Sequence, residues 1–204
     1  MGSSTLLPPP RIDASSAGMR MTRAQFEAAE DWDEIFDYEL INGVLVVRPG
    51  LDYPNGEMVE ELGYRLRTYQ EKHPSGRSLD FTVYGKYVAT AHDYRRTHRS
   101  VWTGLGRMPK KRDVPSIVIE MIAKGRVGML ENQIATRDEY FFVGVKEVWV
   151  FDRFKRRLTV SLNRGDGVEE VVFGDSDCYE SVLLPGFILE FSRYLAGAAK
   201  WDDD

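Results

Sequence analysis

The stretch from Asp113 to Thr159 constrains this chain most. Pro115 opens the run Ser116-Ile117-Val118-Ile119-Glu120-Met121-Ile122, in which apolar residues follow one another with a single carboxylate near the end. A strand without polar alternation is covered on both faces, so this segment is expected at the centre of a sheet. Leu130, Ile134, Arg137 and Phe141 then share one helical stripe, and Gly144 is placed to stop that helix. A second apolar run, Val145 to Phe151, follows, and Leu158 to Leu162 pairs with it as a hairpin after the Arg153 to Arg157 turn. Strand, helix and strand in succession imply a right-handed crossover between two parallel strands. The expected fold class is therefore α/β, a mixed β-sheet core flanked by helices.

The rest of the chain fills in around that unit. Met1 to Met19, with three consecutive prolines and several Ser and Ala, reads as a disordered leader, so that residues 1–21 precede one domain over 22–204. Thr22, with Gln25 three positions on, has capping-box spacing and predicts a short helix to about Ala29. Tyr38 to Ile41 and Val44 to Val47 flank Asn42-Gly43, a strong short-range hairpin signal that puts Glu39 on a strand just before a tight turn. Met58, Leu62, Leu66 and Tyr69 mark one face of a helix over about Gly56 to Lys72. Strands are expected at Leu79 to Ala89 and Ser100 to Thr103, with an arginine-rich turn between them, and a terminal helix at Phe191 to Ala199.

Composition removes several function classes. One cysteine, Cys178, forms neither an internal disulfide nor a cysteine zinc cluster. No apolar run approaches the roughly 20 residues a membrane helix needs, and the start lacks the order of a secretory signal, so the expected location is cytoplasmic, with no membrane partner. A net charge of −5 argues against a surface coated for bulk nucleic-acid binding. Local basic groups stand at Arg95, Arg96, His98 and Arg99, at Arg107, Lys110, Lys111 and Arg112, and at Lys155 to Arg157. Phosphate-binding loops, dinucleotide glycine fingerprints, nucleophile elbows and metalloprotease His pairs are all missing.

What chemistry is left gathers on acids at strand ends. Glu120 closes the central run, and a charge held there at some cost is a site candidate. Glu39 precedes the first hairpin turn, with His98 and Lys124 as further polar candidates. Two carboxylates converging at sheet ends are the usual cage for a hard divalent cation that activates water against a phosphodiester.

Four ordered blocks carry a family resemblance: Tyr-Glu-Leu-Ile-Asn-Gly at 38 to 43, Pro-Ser-Ile-Val-Ile-Glu at 115 to 120, Tyr140 to Asp152 with Gly-Val-Lys-Glu-Val-Trp-Val-Phe-Asp, and Leu-Pro-Gly-Phe at 184 to 187. Over about Thr22 to Leu195 the chain resembles the Uma-two family of restriction-endonuclease-like proteins, within the PD-(D/E)XK nuclease superfamily. The resemblance implies a restriction-endonuclease-like fold and a metal-dependent DNA endonuclease, with Mg²⁺ or Mn²⁺ as cofactor, DNA as partner and a homodimer as a common assembly. It maps the family's early Glu to Glu39 and its core-strand Glu to Glu120. The family's Asp falls at His98, with Ser100 as the second register, and its helix Lys falls at Thr136. An acidic residue common early in that helix falls at Asn132. Glu39, His98 and Glu120 are then the expected metal ligands, with Lys124 or Arg137 in place of the lysine. Imidazole is a poorer ligand than carboxylate for Mg²⁺, and Thr cannot supply positive charge to the reacting phosphate. His98 has three readings: a ligand for a softer metal, a general base, or a polar filler left after loss of catalysis. The alternative function is accordingly a catalytically inactive nuclease-fold relative that binds nucleic acid or protein.

Overall fold

A computed structural model of the chain describes residues 11–91, 93–123 and 130–201. The chain divides into two compact units, Met1–Gly50 with His92–Arg96, and Leu51–Ala91 with Thr97–Asp204.

The first unit is built on the expected hairpin. β1 (Phe36–Ile41) and β2 (Val44–Pro49) pair antiparallel, Ile41 opposite Val44. Asn42 and Gly43 both adopt positive φ, 50° and 73°, the turn whose twist matches that of paired strands. α1 (Arg23–Ala28) starts at Thr22, whose Oγ1 accepts from the Gln25 amide while Gln25 Oε1 accepts from the Thr22 amide, closing the predicted capping box. Phe26 of α1 packs edge-on against Trp32, and Trp32 against Tyr38. Part of the stretch expected as a leader belongs here. Ile12 is buried and bridges Trp32, the Gly18 amide donates to the Leu45 carbonyl, and Tyr38 Oη donates to the Ile12 carbonyl. Residues 11–21 thus pack on the hairpin, where a disordered leader was expected.

The second unit holds the central sheet. In it β4 (Tyr87–Ala89) is separated from β3 (Leu79–Tyr84) by Gly85 at φ 68°, where one continuous strand was expected. β6 (Arg99–Thr103), β7 (Ile117–Met121), β8 (Glu147–Asp152), β9 (Arg157–Asn163) and β10 (Val168–Phe173) form with β3 a six-stranded sheet in the order β10-β9-β8-β7-β6-β3. Within this sheet β7 and β8 run parallel and the other pairs antiparallel, β7 and β8 being joined through α3 (Leu130–Phe142), as the strand-helix-strand pattern requires. β5 (Tyr94–Arg96), read from sequence as a turn, pairs with β1 in the first unit.

Both faces of β7 are covered, which accounts for its unbroken apolar run. Ile117, Ile119 and Met121 face α2 (Tyr53–Lys72) and α4 (Phe191–Ala199) in a core with Leu62, Leu66, Trp149 and Phe151. Val118 faces the opposite way, into a cluster with Tyr140, Phe141 and Val148 beneath α3. Strand alternation puts Glu120 on that second side. β11 (Cys178–Glu180) and β12 (Ile188–Glu190) make a separate two-stranded ribbon.

Candidate active site at the carboxyl end of the central strand

Glu120 reaches the α3 side where apolar cover gives out, and it is about one-fifth exposed. β6 pairs antiparallel with β7, Arg99 opposite Ile119, so His98 stands immediately before β6 and beside Glu120. His98 Nδ1 lies 2.6 Å from Glu120 Oε2. The Met121 amide donates to the same Nδ1 at 3.0 Å. On the other side, Tyr140 Oη donates to Glu120 Oε1 at 2.8 Å. Tyr140 is fully buried in α3, so its ring is fixed by packing and its hydroxyl has a defined direction. Of the two sequence registers, His98 meets Glu120, whereas Ser100 is fully buried with its Oγ 2.8 Å from Thr97 Oγ1.

The other expected site residues have different surroundings. Glu39 lies in the first unit on β1, as the hairpin pattern implied. It is 3% exposed, its Oε2 is 2.6 Å from Arg48 Nη2, and its Oε1 accepts from the Arg96 amide at 3.1 Å. A carboxylate held so has its charge compensated by protein groups, and this pairing stands where an open metal ligand was expected. Arg137 is likewise committed, its guanidinium pairing with Asp138 and with Glu170 of β10. Thr136 is half-buried and lies one turn before Tyr140 on the same helical stripe. Lys124 and the side chain of Asn132 lie outside the described residues.

Much of the arginine richness near the sequence candidates is spent on acids. Arg95 pairs with Asp93 and Arg96 with Asp37, both within the first unit. Arg107 grips Asp113 through two nitrogens, and its loop joins the end of β6 to the start of β7, one strand length from Glu120, about 15 Å. The Arg153 to Arg157 turn follows β8 and, β8 being parallel to β7, shares the end of the sheet with Glu120. There Arg153 approaches Asp52, and Arg156 pairs with Asp175.

Among the described residues no three His, Cys, Asp or Glu side chains stand together as a group able to hold a metal ion. Both oxygens of Glu120 already have hydrogen-bond partners, and the neighbouring side chain that would share an ion with it is an imidazole. This donor set does not fit the anionic oxygen cage of Mg²⁺.

Two polar groups had no role in the sequence reading. Tyr140 is one, a buried phenol next to Phe141 that lies off the stripe read from the sequence. The other is Glu147, buried at the start of β8, where it accepts from Trp149 Nε1 and Tyr179 Oη at 2.9 Å each and from Ser181 Oγ at 2.7 Å. Those neutral donors tie β11 and the segment after it to the sheet.

Comparison with known proteins places this geometry in context. A family model described as "Uma2: Putative restriction endonuclease" matches residues 23–192. Among solved structures, one similar chain is described as a putative nuclease belonging to DUF820 from Anabaena variabilis ATCC 29413. It is 12% identical, with 87% of this chain and 99% of that chain covered and a TM-score of 0.68. At that identity the likeness is one of fold. No curated protein matches the chain. No helix among the described residues is long and apolar enough to cross a membrane.

Proposed function

We propose, since this chain belongs to the Uma2 family described as putative restriction endonuclease, that it is a nuclease acting on DNA phosphodiester bonds through a divergent site centred on Glu120 and His98. The observation that supports this reading is the meeting of those two side chains beside the carboxyl end of the central strand, 2.6 Å apart. Among the described residues His98 Nε2 has no hydrogen-bond partner, so it is the ring nitrogen left for a phosphate oxygen. Tyr140 fixes the orientation of Glu120. Such nucleases generally use a divalent cation, and Mg²⁺ or Mn²⁺ is the ion the family implies, although Glu120 and His98 alone do not make the oxygen cage that ion needs. Action in the cytoplasm and assembly as a homodimer belong to the same reading.

A second reading is favoured by a specific observation. With both Glu120 oxygens engaged and Thr136 standing where the family has lysine, the chain is a non-catalytic relative that keeps the fold and binds nucleic acid or protein. Nicking of supercoiled plasmid in Mg²⁺ or Mn²⁺, beside a Glu120→Ala variant, separates the two. Metal-dependent nicking that disappears in the variant supports the nuclease. No cleavage across metals and DNA forms leaves the binding module.

A further inference from the structure

Many arginines of this chain are paired with acids at close range, but two on the α2 side of the sheet are not. Arg99 is 5% exposed, its guanidinium lies against the backbone of Gly63, and among the described residues its Nε has no hydrogen-bond partner. Its bond from Nη1 to Thr82 Oγ1 is long, 3.4 Å, and goes to a neutral hydroxyl. The carboxylate that approaches it, Glu60 Oε1, stops 4.0 Å from Nη2 on a side chain that is 78% exposed. Arg67, one turn after Gly63 on α2, donates from Nη2 to the Thr82 carbonyl, again at 3.4 Å. Among the described residues no acid pairs with Arg67.

Two guanidiniums therefore converge on Thr82, a buried residue of β3, with most of their five N–H donors each unspent. A buried charge is costly to hold unless an opposite charge pairs with it, and a like charge beside it adds to the cost. Glu60 offsets little of this, since water screens a carboxylate that reaches in from outside. A tetrahedral oxyanion would offset more, because its charge answers both groups and its oxygens accept from two planar forks at once. We propose that Arg99 and Arg67 form an oxyanion site between α2 and β3, taking a phosphate group at the rim where Glu60 now reaches. That phosphate is either the free inorganic ion or part of a DNA backbone. Arg99 follows His98, and consecutive strand residues point to opposite faces, so the site lies across the sheet from Glu120. The proposal goes beyond the reading above and does not need the chain to cut DNA.

Isothermal titration of the full chain with inorganic phosphate at low ionic strength reads the site directly. Wild type is expected to bind phosphate, Arg67→Gln to bind it about tenfold more weakly for want of one charge-assisted bond, and Arg99→Met not to bind it. Glu60→Gln is expected to bind it more tightly, because the competing carboxylate is gone. In phosphate-free buffer Arg99→Met should unfold at no lower urea concentration than wild type, since an apolar side chain replaces an underpaired charge. Phosphate should raise the midpoint of wild type more than that of Arg99→Met, a comparison that cancels its general salting effect. A second titration, with duplex DNA, assigns the source. Weaker DNA binding in both arginine variants puts a backbone phosphate in the site, and unaltered DNA binding leaves the site to the free ion. Wild type and both arginine variants alike in phosphate binding and in DNA binding would overturn the proposal. So would a Glu60→Gln variant that binds phosphate no more tightly and unfolds earlier, which would make Glu60 the counter-ion of Arg99. If Arg99→Met does not fold, Arg67→Gln decides, because its side chain is exposed. A chain that nicks no plasmid leaves all of these results unchanged.

Discussion

Gly63 of α2 is the slot that admits the guanidinium of Arg99 from β6, since a Cβ at that glycine would fall within contact of Arg99 Nη1, Nη2 and Cζ together. Arg99 is buried, its nearest acceptor is Thr82 Oγ1 at 3.4 Å, and loss of solvent pushes its pKa down from the ordinary arginine value. Arg99 and His98 are consecutive, so the strand pinned by this slot is the one that carries His98 to Glu120 on the opposite face. Packing against α2 thereby sets the register of the candidate site.

Gly63→Ala should cost about 1–3 kcal/mol, because the added methyl meets a side chain that is itself enclosed. Gly56→Ala, in the same helix with nothing within 4 Å of its would-be Cβ, should stabilise by about 0.5–1 kcal/mol. Urea midpoints of the two variants check the contrast. Equal stability of Gly63→Ala and wild type would show that the slot is loose.

Tyr140→Phe should lower stability by about 1 kcal/mol, the net worth of one buried hydrogen bond, while the ring goes on filling the cluster with Val118 and Val148. Denaturant unfolding measures it. A larger loss would mean that the phenol holds more than Glu120.

Tyr194 offers the opposite case. Its hydroxyl is buried and has no hydrogen-bond partner among the described residues. Tyr194→Phe should therefore leave stability unchanged or raise it by up to about 1 kcal/mol, because the variant no longer buries an unpaired polar group.

Burial pushes the pKa of Tyr194 well above the ordinary tyrosine value, and burial with the nearby Glu147 carboxylate does the same for Tyr179. In the unfolded chain both lose their protons near the usual 10, and in the folded chain they keep them. The unfolded state is favoured in that interval, so stability should fall as pH rises past 10. Tyrosinate absorbance should then rise together with unfolding rather than ahead of it for these two residues.

Asp113 responds at the other end of the scale. The hydrogen bonds from Arg107, with one from the Lys110 amide, hold its pKa down to about 2 against an ordinary 3.8. Its contribution to the 104–115 loop is present above the ordinary value and should be lost as pH falls through about 2. A carboxyl ¹³C titration reads this directly, and Arg107→Ala should return the midpoint toward the ordinary value. The pair is exposed, so salt should weaken the effect.

Elements whose causes are local were legible in the sequence. The capping box at Thr22, the Asn42-Gly43 turn, the stop at Gly144 and the helix at Phe191 depend on neighbours within a few residues, and each is where its pattern put it. β10 escaped because an edge strand needs no buried face: Glu169, Glu170 and Val172 are exposed, and its sequence has no core-facing alternation to notice. Tyr94 to Arg96 escaped because three residues become a strand only when a partner, here Leu40 of β1, supplies the ladder.

Glu120 and Glu39 divide along the same line. A lone carboxylate in an apolar run marks Glu120 from sequence alone, because burying charge is costly wherever the chain goes. Glu39 was marked only by its place before a hairpin turn and by the family resemblance, and the register of β1 on β2 brings Arg48 onto its carboxylate. Residue order determined the two central strands, the crossover between them and the acid at the end of the first, since these follow from periodicity and the cost of burying charge. Which group meets each acid was decided by tertiary structure alone: imidazole and phenol for Glu120, guanidinium for Glu39. Pairing between side chains far apart in sequence depends on strand register and helix packing, and neither is written in local composition.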